Sequence, residues 1–126
     1  MTTVEEVHTC CEALPSAEQT FPFGETVAVY KVGGKMFALV PMEAKQPNFS
    51  VKCDPEEAIL LREQYSAVTP GYHLNKRHWN TVTVDGSIPE EELEGFIKSS
   101  WKLVAASLPR KIRQELELSD SDIDSI

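Results

Sequence analysis

A β-hairpin signal in the first third of the chain constrains the fold more strongly than any other feature. Two apolar runs, TVAVYKV (residues 26–32) and KMFALV (residues 35–40), flank Gly33-Gly34. A two-residue Gly-Gly loop supplies the positive φ angles that a tight hairpin turn needs. Pro41 then ends the second strand. The sequence therefore predicts two antiparallel strands joined by a tight turn.

Three further strands are expected from shorter segments. NFSVKC (residues 48–53) alternates well enough for a third strand, and AVTPGYHL (67–74) and HWNTVTVDG (78–86) predict a second hairpin with residues 75–77 near its turn. The intervening SAEQTFPFGE (16–25) is expected to be a loop, with Phe21 and Phe23 packed against the core.

Helix signals lie between these strands. Thr3 followed by Glu6 fits a capping box, and Pro15 closes that first helix. Asp54 caps a second helix that should run to about Tyr65. Residues 89–108 have one broad apolar face, which predicts a third helix, and RKIRQELEL (110–118) predicts a short fourth one.

The order of elements is therefore α-β-β-β-α-β-β-α-α. Hairpins with short connections indicate an antiparallel sheet of about five strands, with the helices on one face. The predicted fold class is a two-layer α+β domain. A length of 126 residues suits a single domain, which we place at residues 1–116.

The remaining segment, residues 117–126, is predicted to be an acidic, disordered tail. The net charge of the chain is −8, but residues 115–126 hold five of the 20 acidic residues and none of the 12 basic ones. Residues 1–114 therefore carry a net charge of −3. The folded body is only mildly acidic, which leaves room for a local basic patch.

Cysteine usage and hydropathy predict a cytoplasmic protein. Cys10, Cys11 and Cys53 are odd in number and lack CxxC spacing, which argues against a disulfide framework or a zinc knuckle. No apolar run approaches the roughly 20 residues that span a bilayer. The first residues also lack the basic and apolar regions of a signal peptide.

No catalytic or metal-binding signature is present. His73 and His78 are five residues apart without a nearby carboxylate or cysteine cluster, and His8 is expected on a helix surface. Cys53 and His73 form no local nucleophile motif. The sequence also lacks a GxxxxGK[ST] phosphate loop. We therefore expect no enzyme activity, no metal and no cofactor.

The segment GYHLNKRHWNTV (residues 71–82) is the strongest candidate for a binding surface. Lys76 and Arg77 fall at a predicted turn, and Asn75 and Asn80 offer hydrogen-bonding groups. Tyr72 and Trp79 offer flat faces. This mixture is what phosphate binding and base stacking require.

A purely structural interpretation of the same segment stays open. In that interpretation, Tyr72 and Trp79 anchor the core, the asparagines satisfy backbone groups of the turn, and the cations are a solvated tip.

Four segments together resemble the MmcQ/YjbR family of small bacterial proteins: PFGETVAVYKVGGKMFALV, VKCDPEEAILLREQY, VTPGYHLNKRHWNTV and SWKLVAASLPRKIR. The resemblance runs from the first helix to about Leu116. It implies a compact α+β fold related in shape to type III secretion chaperones.

The resemblance also implies DNA binding, with two β-hairpins as wings beside the nucleic acid. In this chain the wings would be residues 27–40 and the hairpin around residues 75–77. The implied nucleic-acid-binding residues are Lys52, His73, Asn75, Lys76, Arg77, His78 and Trp79. No enzyme activity or cofactor is implied.

Two other functions remain as alternatives. One is a non-enzymatic protein-binding module that holds a partner protein against its sheet, as a monomer or a weak homodimer. The other is an enzyme that uses the His-Asn-Lys-Arg cluster on a small anionic ligand. The expected partners are therefore DNA or a protein, and no membrane.

Overall fold

The computed structural model describes residues 1–71, 74–119, 121 and 123, and within them a six-stranded antiparallel sheet packs against helices. The helices are α1 (Val4–Glu12), α2 (Pro55–Gln64), α3 (Glu90–Ser107) and α4 (Arg110–Glu115). The strands are β1 (Glu18–Thr20), β2 (Val27–Val32), β3 (Lys35–Pro41), β4 (Asn48–Lys52), β5 (Val68–Pro70) and β6 (Trp79–Thr83). Their order across the sheet is β1-β2-β3-β4-β6-β5. The predicted α+β class is confirmed.

The predicted helix starts are confirmed in atomic detail. The Thr3 hydroxyl accepts a hydrogen bond from the Glu6 backbone N–H at 3.2 Å, and it donates to the Glu6 carboxylate. At α2, the Asp54 carboxylate accepts from the Glu56 N–H at 3.1 Å, and Pro55 occupies the first helical position. Side-chain caps therefore set where both helices begin.

The prediction of a loop over residues 16–25 is wrong for β1. This strand pairs through its backbone with β2, with Gln19 opposite Tyr30. It is three residues long and has no apolar alternation, so the pattern that identifies strands is absent from it. The sheet consequently has one strand more than the five expected.

The helices cover one side of the sheet, which we call the helix-facing side. Trp101 of α3 is fully buried there, and its indole N–H donates to the Pro15 carbonyl at 3.0 Å. Alternation along the strands sends Tyr30 and Val51 to this side. Phe37 is an extra residue between the pairs Tyr30↔Ala38 and Lys31↔Met36, and this β-bulge adds its ring to the same core.

Next to the bulge, a buried serine of α3 forms hydrogen bonds with backbone groups of β3 and β4 that do not pair directly. The Ser100 hydroxyl donates to the Phe37 carbonyl at 2.6 Å and accepts from the Lys52 N–H at 2.8 Å. These two backbone groups belong to neighbouring strands. Ser100 therefore bridges β3 and β4 where their direct pairing, Ala38↔Val51 and Leu39↔Ser50, has ended.

His8 lies in the interface between α1 and the sheet, so its expected surface position is wrong. The side chain is 9% exposed, and its Nδ1 lies 2.6 Å from the Tyr30 hydroxyl. Its Nε2 lies 3.1 Å from the Pro41 carbonyl, which can only accept. Nε2 therefore bears a proton and donates to this carbonyl. Burial raises the pKa of the Tyr30 hydroxyl, so this group keeps its proton at neutral pH.

The segment predicted to be a disordered tail contributes two side chains to the core. Leu118 and Ile123 are 8% and 6% exposed. The Leu118 N–H donates to the Arg113 carbonyl at 2.9 Å, and the Ile123 N–H donates to the Ser119 carbonyl at 3.2 Å. Disorder is therefore wrong for these two residues. Residues 120, 122 and 124–126 lie outside the described residues, and the prediction for them stays a prediction.

Candidate functional site

The segment that connects β5 to β6 is called the 71–79 loop here, and its described residues, 71 and 74–79, are held by their own backbone hydrogen bonds. The Gly71 N–H donates to the Trp79 carbonyl at 2.9 Å, and the Trp79 N–H donates to the Asn75 carbonyl at 3.0 Å. The Asn75 side chain accepts from the Arg77 N–H at 3.0 Å, which forms an Asx turn. A Cβ at position 71 would lie 2.8 Å from the Trp79 Cβ, so only glycine fits this close approach. The asparagine and glycine therefore shape the turn.

Arg62 of α2 braces this loop from outside. Its Nε donates to the Asn80 side-chain oxygen at 2.7 Å, and its guanidinium also donates to the carbonyls of Lys76 and Trp79. Asn80 is 1% exposed, and its amide donates to the Ala58 carbonyl at 3.3 Å. Asn80 is thus a buried link between α2 and the loop, and not the surface hydrogen-bonding group that we expected.

The predicted site residues divide into exposed and buried groups. Asn75, Lys76 and Arg77 are exposed at the tip of the loop, and His78 is half-buried. Within the described ranges, the side chains of Lys76 and Arg77 form no hydrogen bond or ion pair. Two free cations therefore project from a braced turn.

The other predicted residues lie at the base of the loop. Trp79 is 8% exposed, so its ring matches the structural interpretation and offers little surface for stacking. Lys52 is half-buried on β4 directly opposite Trp79, which brings it to the loop as expected. His73 and Tyr72 lie outside the described residues.

The two predicted wings lie at the same end of the sheet. Ala38 pairs with Val51, and Lys52 pairs with Trp79, so the Gly33-Gly34 turn and the 75–77 turn flank the end of β4. The first turn packs against the helices, because a Cβ at Gly33 would lie 2.7 Å from a Leu108 methyl group. Both turns carry exposed cations, because Lys35 follows Gly34 in the first turn, and Lys76 and Arg77 lie in the second.

Cys53 is not an activated nucleophile. Burial, together with the neighbouring Glu57 and Asp54 carboxylates, raises the pKa of its thiol to about 11. The thiol is therefore protonated at neutral pH, whereas the nucleophilic form is the thiolate. This environment gives no support to a Cys53–His73 pair.

The side of the sheet away from the helices, which we call the open face, carries a groove. A row of paired residues crosses this face from β1 to β5: Thr20, Val29, Leu39, Ser50, Thr81 and Thr69. The groove measures about 380 Å³. Its lining, which defines the open-face groove, is Phe23, Val27, Leu39, Pro41, Asn48, Ser50, Leu74 and Thr81.

Two of the groove's lining residues come from loops outside the sheet. Leu74 belongs to the 71–79 loop, so the groove ends beside the free cations. Phe23 is 64% exposed, and its neighbour Phe21 is 42% exposed. The expectation that these two rings pack against the core is wrong, and the groove is the feature that the sequence did not predict.

Some binding chemistries lack a matching arrangement in the described part of the chain. No three His, Cys, Asp or Glu side chains there form a cluster that could hold a metal ion. No helix among these residues is long and apolar enough to cross a membrane.

The fold and site define a small α+β protein with one helix-covered sheet face and one open face beside a cationic loop. The YjbR family model matches residues 12–103, and this chain belongs to the YjbR family. It is 38% identical over 114 residues to the uncharacterized protein YjbR of Escherichia coli. The alignment covers 90% of this chain and 97% of that relative. It is also 38% identical over 98 residues to the uncharacterized protein YbdF of E. coli O157:H7, covering 78% and 80%.

Solved structures agree with this assignment. The crystal structure of Deinococcus radiodurans protein DR2400 matches with a TM-score of 0.88 and 39% identity, covering 95% of this chain and 91% of that one. The crystal structure of a Pseudomonas syringae protein matches with a TM-score of 0.68 and 22% identity. The match covers 79% of this chain and 97% of that one, and it shows a likeness of fold alone.

Proposed function

We propose that this protein is a non-enzymatic, cytoplasmic DNA-binding protein that contacts phosphate groups through the 71–79 loop. The observation that carries the proposal is the pair of exposed, unpaired cations, Lys76 and Arg77, within the described part of a braced turn. The family resemblance to proteins labelled DNA-binding supports it. The three free cysteines support a reducing compartment.

The loop suits phosphate for a physical reason. Its backbone is already ordered by Asn75 and Arg62, so little conformational freedom is lost when the cations bind. Lys52 lies at the base of the same loop and adds a third positive charge. Phosphate contacts of this kind fix position and give affinity without reading sequence.

The test measures binding of a short labelled DNA duplex by fluorescence anisotropy over a range of salt concentrations. We expect Lys76→Ala/Arg77→Ala to weaken binding and to reduce the slope of log affinity against log salt by about 2, since each lost phosphate contact removes about 1. The matched control is Lys98→Ala/Lys102→Ala on α3, which removes the same charge from the helix-facing side.

Equal losses in both variants would show a general charge effect and would contradict the proposal. An acidic C-terminal segment should oppose binding, so Asp120→Asn/Asp122→Asn/Asp124→Asn should strengthen it. This variant is preferable to truncation after Leu116, because truncation also removes the buried Leu118 and Ile123 side chains.

A protein-binding module is the second candidate, acting as a monomer or a weak homodimer. The exposed side chains of Phe21, Phe23 and Met42 favour it, because large exposed apolar side chains are available for protein contacts. This function predicts that neither charge variant has an effect, and that Phe23→Ala disrupts association with a partner.

A further inference from the structure

We infer that the open-face groove accepts an unpaired nucleobase, so that the protein prefers single-stranded nucleic acid to duplex. This inference rests on the proposed function, since it places the phosphates of the same ligand on the 71–79 loop. It assigns a role to the groove and selects one class of nucleic acid.

The lining of the groove matches the two kinds of surface that a base presents. A base has flat π-faces, which stack on apolar and aromatic side chains, and polar edges, which form hydrogen bonds. Phe23, Leu39 and Leu74 supply apolar surface to the lining of the groove. A cavity of about 380 Å³ lies within the range of small-ligand pockets, roughly 300–1,000 Å³.

The polar side chains of the groove lie together on β4 and β6. The hydroxyl groups of Ser50 and Thr81 are 2.8 Å apart, so one donates to the other. Asn48 also lines the groove, and its side-chain amide group donates to the Gln46 carbonyl at 3.2 Å. This one-sided arrangement fits a ring with an apolar face and a polar edge better than it fits a wholly apolar peptide side chain.

Charge complementarity favours a nucleotide over other occupants. Leu74 directly precedes Asn75 and Lys76, so the groove ends at the loop cations. Lys52 follows Ser50 by two residues on the same face of β4, about 7 Å further along the strand. None of the described residues that line the groove carries a carboxylate. A base in the groove would therefore have its phosphates beside positive charges.

A duplex cannot use this surface in the same way. Its bases are stacked on one another and their Watson–Crick edges are paired, so a base cannot enter a groove in a protein without leaving the stack. A single strand exposes both the faces and the edges of its bases. Duplex should bind through the loop cations alone, and single strands through the cations and the groove.

The experiment compares a labelled single strand of about 12 nucleotides, within the range of known binding sites, with its own duplex. Wild-type protein and Phe23→Ala are titrated with each. The matched control is Phe21→Ala, because Phe21 is also an exposed phenylalanine on the same loop but does not line the groove. Both variants should fold, since neither ring belongs to the buried core.

We expect Phe23→Ala to weaken single-strand binding about 10-fold, in the range of stacking losses. Duplex binding should be unchanged, and Phe21→Ala should resemble wild type. Replacing one adenine with 2-aminopurine gives a second readout, since stacking in the groove should quench its fluorescence in wild type and not in Phe23→Ala.

Three results would overturn the inference. In the first, duplex binds at least as tightly as the single strand, and Phe23→Ala binds like wild type. The protein would then still bind DNA, but the groove would take no part in binding. Loss of a dimer in Phe23→Ala during sedimentation would show that a second copy fills the groove. Failure of both nucleic acids to bind at low salt would remove the proposed function as well.

Discussion

The two faces of the sheet are built by the same strands but differ in what their side chains do. On the helix-facing side, Tyr30, Phe37 and Phe49 are fully buried, and the polar Ser100 has partners for both its donor and its acceptor. On the open face, Phe23 is 64% exposed beside a row of hydroxyl groups. Because side chains alternate along a strand, one face of the sheet forms the core that stabilises the fold, and the other face offers surface for binding.

The largest expected contrast between the faces is between two aromatic side chains. Trp101→Ala should lower the free energy of unfolding by about 4 kcal/mol, because it leaves a cavity in the core and an unpaired Pro15 carbonyl. Phe23→Ala should change it by less than about 0.5 kcal/mol. Urea denaturation followed by circular dichroism measures both. Equal losses would show that the open face also contributes to the core.

The bridge between β3 and β4 should give a smaller effect. Ser100→Ala leaves the Lys52 N–H and the Phe37 carbonyl without their partner, which should cost about 2 kcal/mol of unfolding free energy. Ser99→Ala, at the adjacent exposed position, is the control and should be close to neutral. If both variants have wild-type denaturation midpoints, the hydroxyl bridge does not stabilise the sheet.

The smallest effect concerns Cys53, which lines a cleft on the helix-facing side with Leu61 and Phe96. Its pKa in the folded protein, about 11, lies above the ordinary value of about 8.5, so its contribution to stability is complete below about pH 8.5. That contribution should disappear as the pH rises through about 11. Its reaction with a thiol reagent at pH 8 should be slow in the folded protein and fast in urea. Equal rates would show that the cleft leaves the thiol exposed.

The sequence predicts the helix-facing half of the fold better than the open half. Capping residues such as Thr3 and Asp54 act over three residues or fewer, so their effects are visible locally. The 71–79 loop also stands out by composition. The bracing by Arg62 could not be predicted from the sequence, because it joins residues 14 to 18 positions apart and has no sequence signature.

Exposed apolar residues were misplaced for a physical reason. A phenylalanine in a loop suggests burial, but a large share of any protein surface is apolar, so Phe23 could lie on an open face. One signal could have identified that face. β2 is apolar at almost every position, including Val27 and Val29, which is typical of a strand with apolar environments on both sides.

Leu118 and Ile123 were missed because acidic residues dominate their surroundings. Segment composition predicts solvation on average, but single apolar side chains can still reach the core. A domain boundary drawn from charge alone therefore excluded two core residues.

The bracing of the 71–79 loop by Arg62 has a thermodynamic consequence. A loop that becomes ordered only in the complex loses its conformational freedom at the moment of binding, with a large unfavourable entropy and a change in heat capacity. Here the guanidinium holds the backbone of Lys76 and Trp79 in the free protein, so that entropy is lost during folding. Under the proposed function, association at this loop would therefore be governed by electrostatic attraction and counterion release, with little coupled folding.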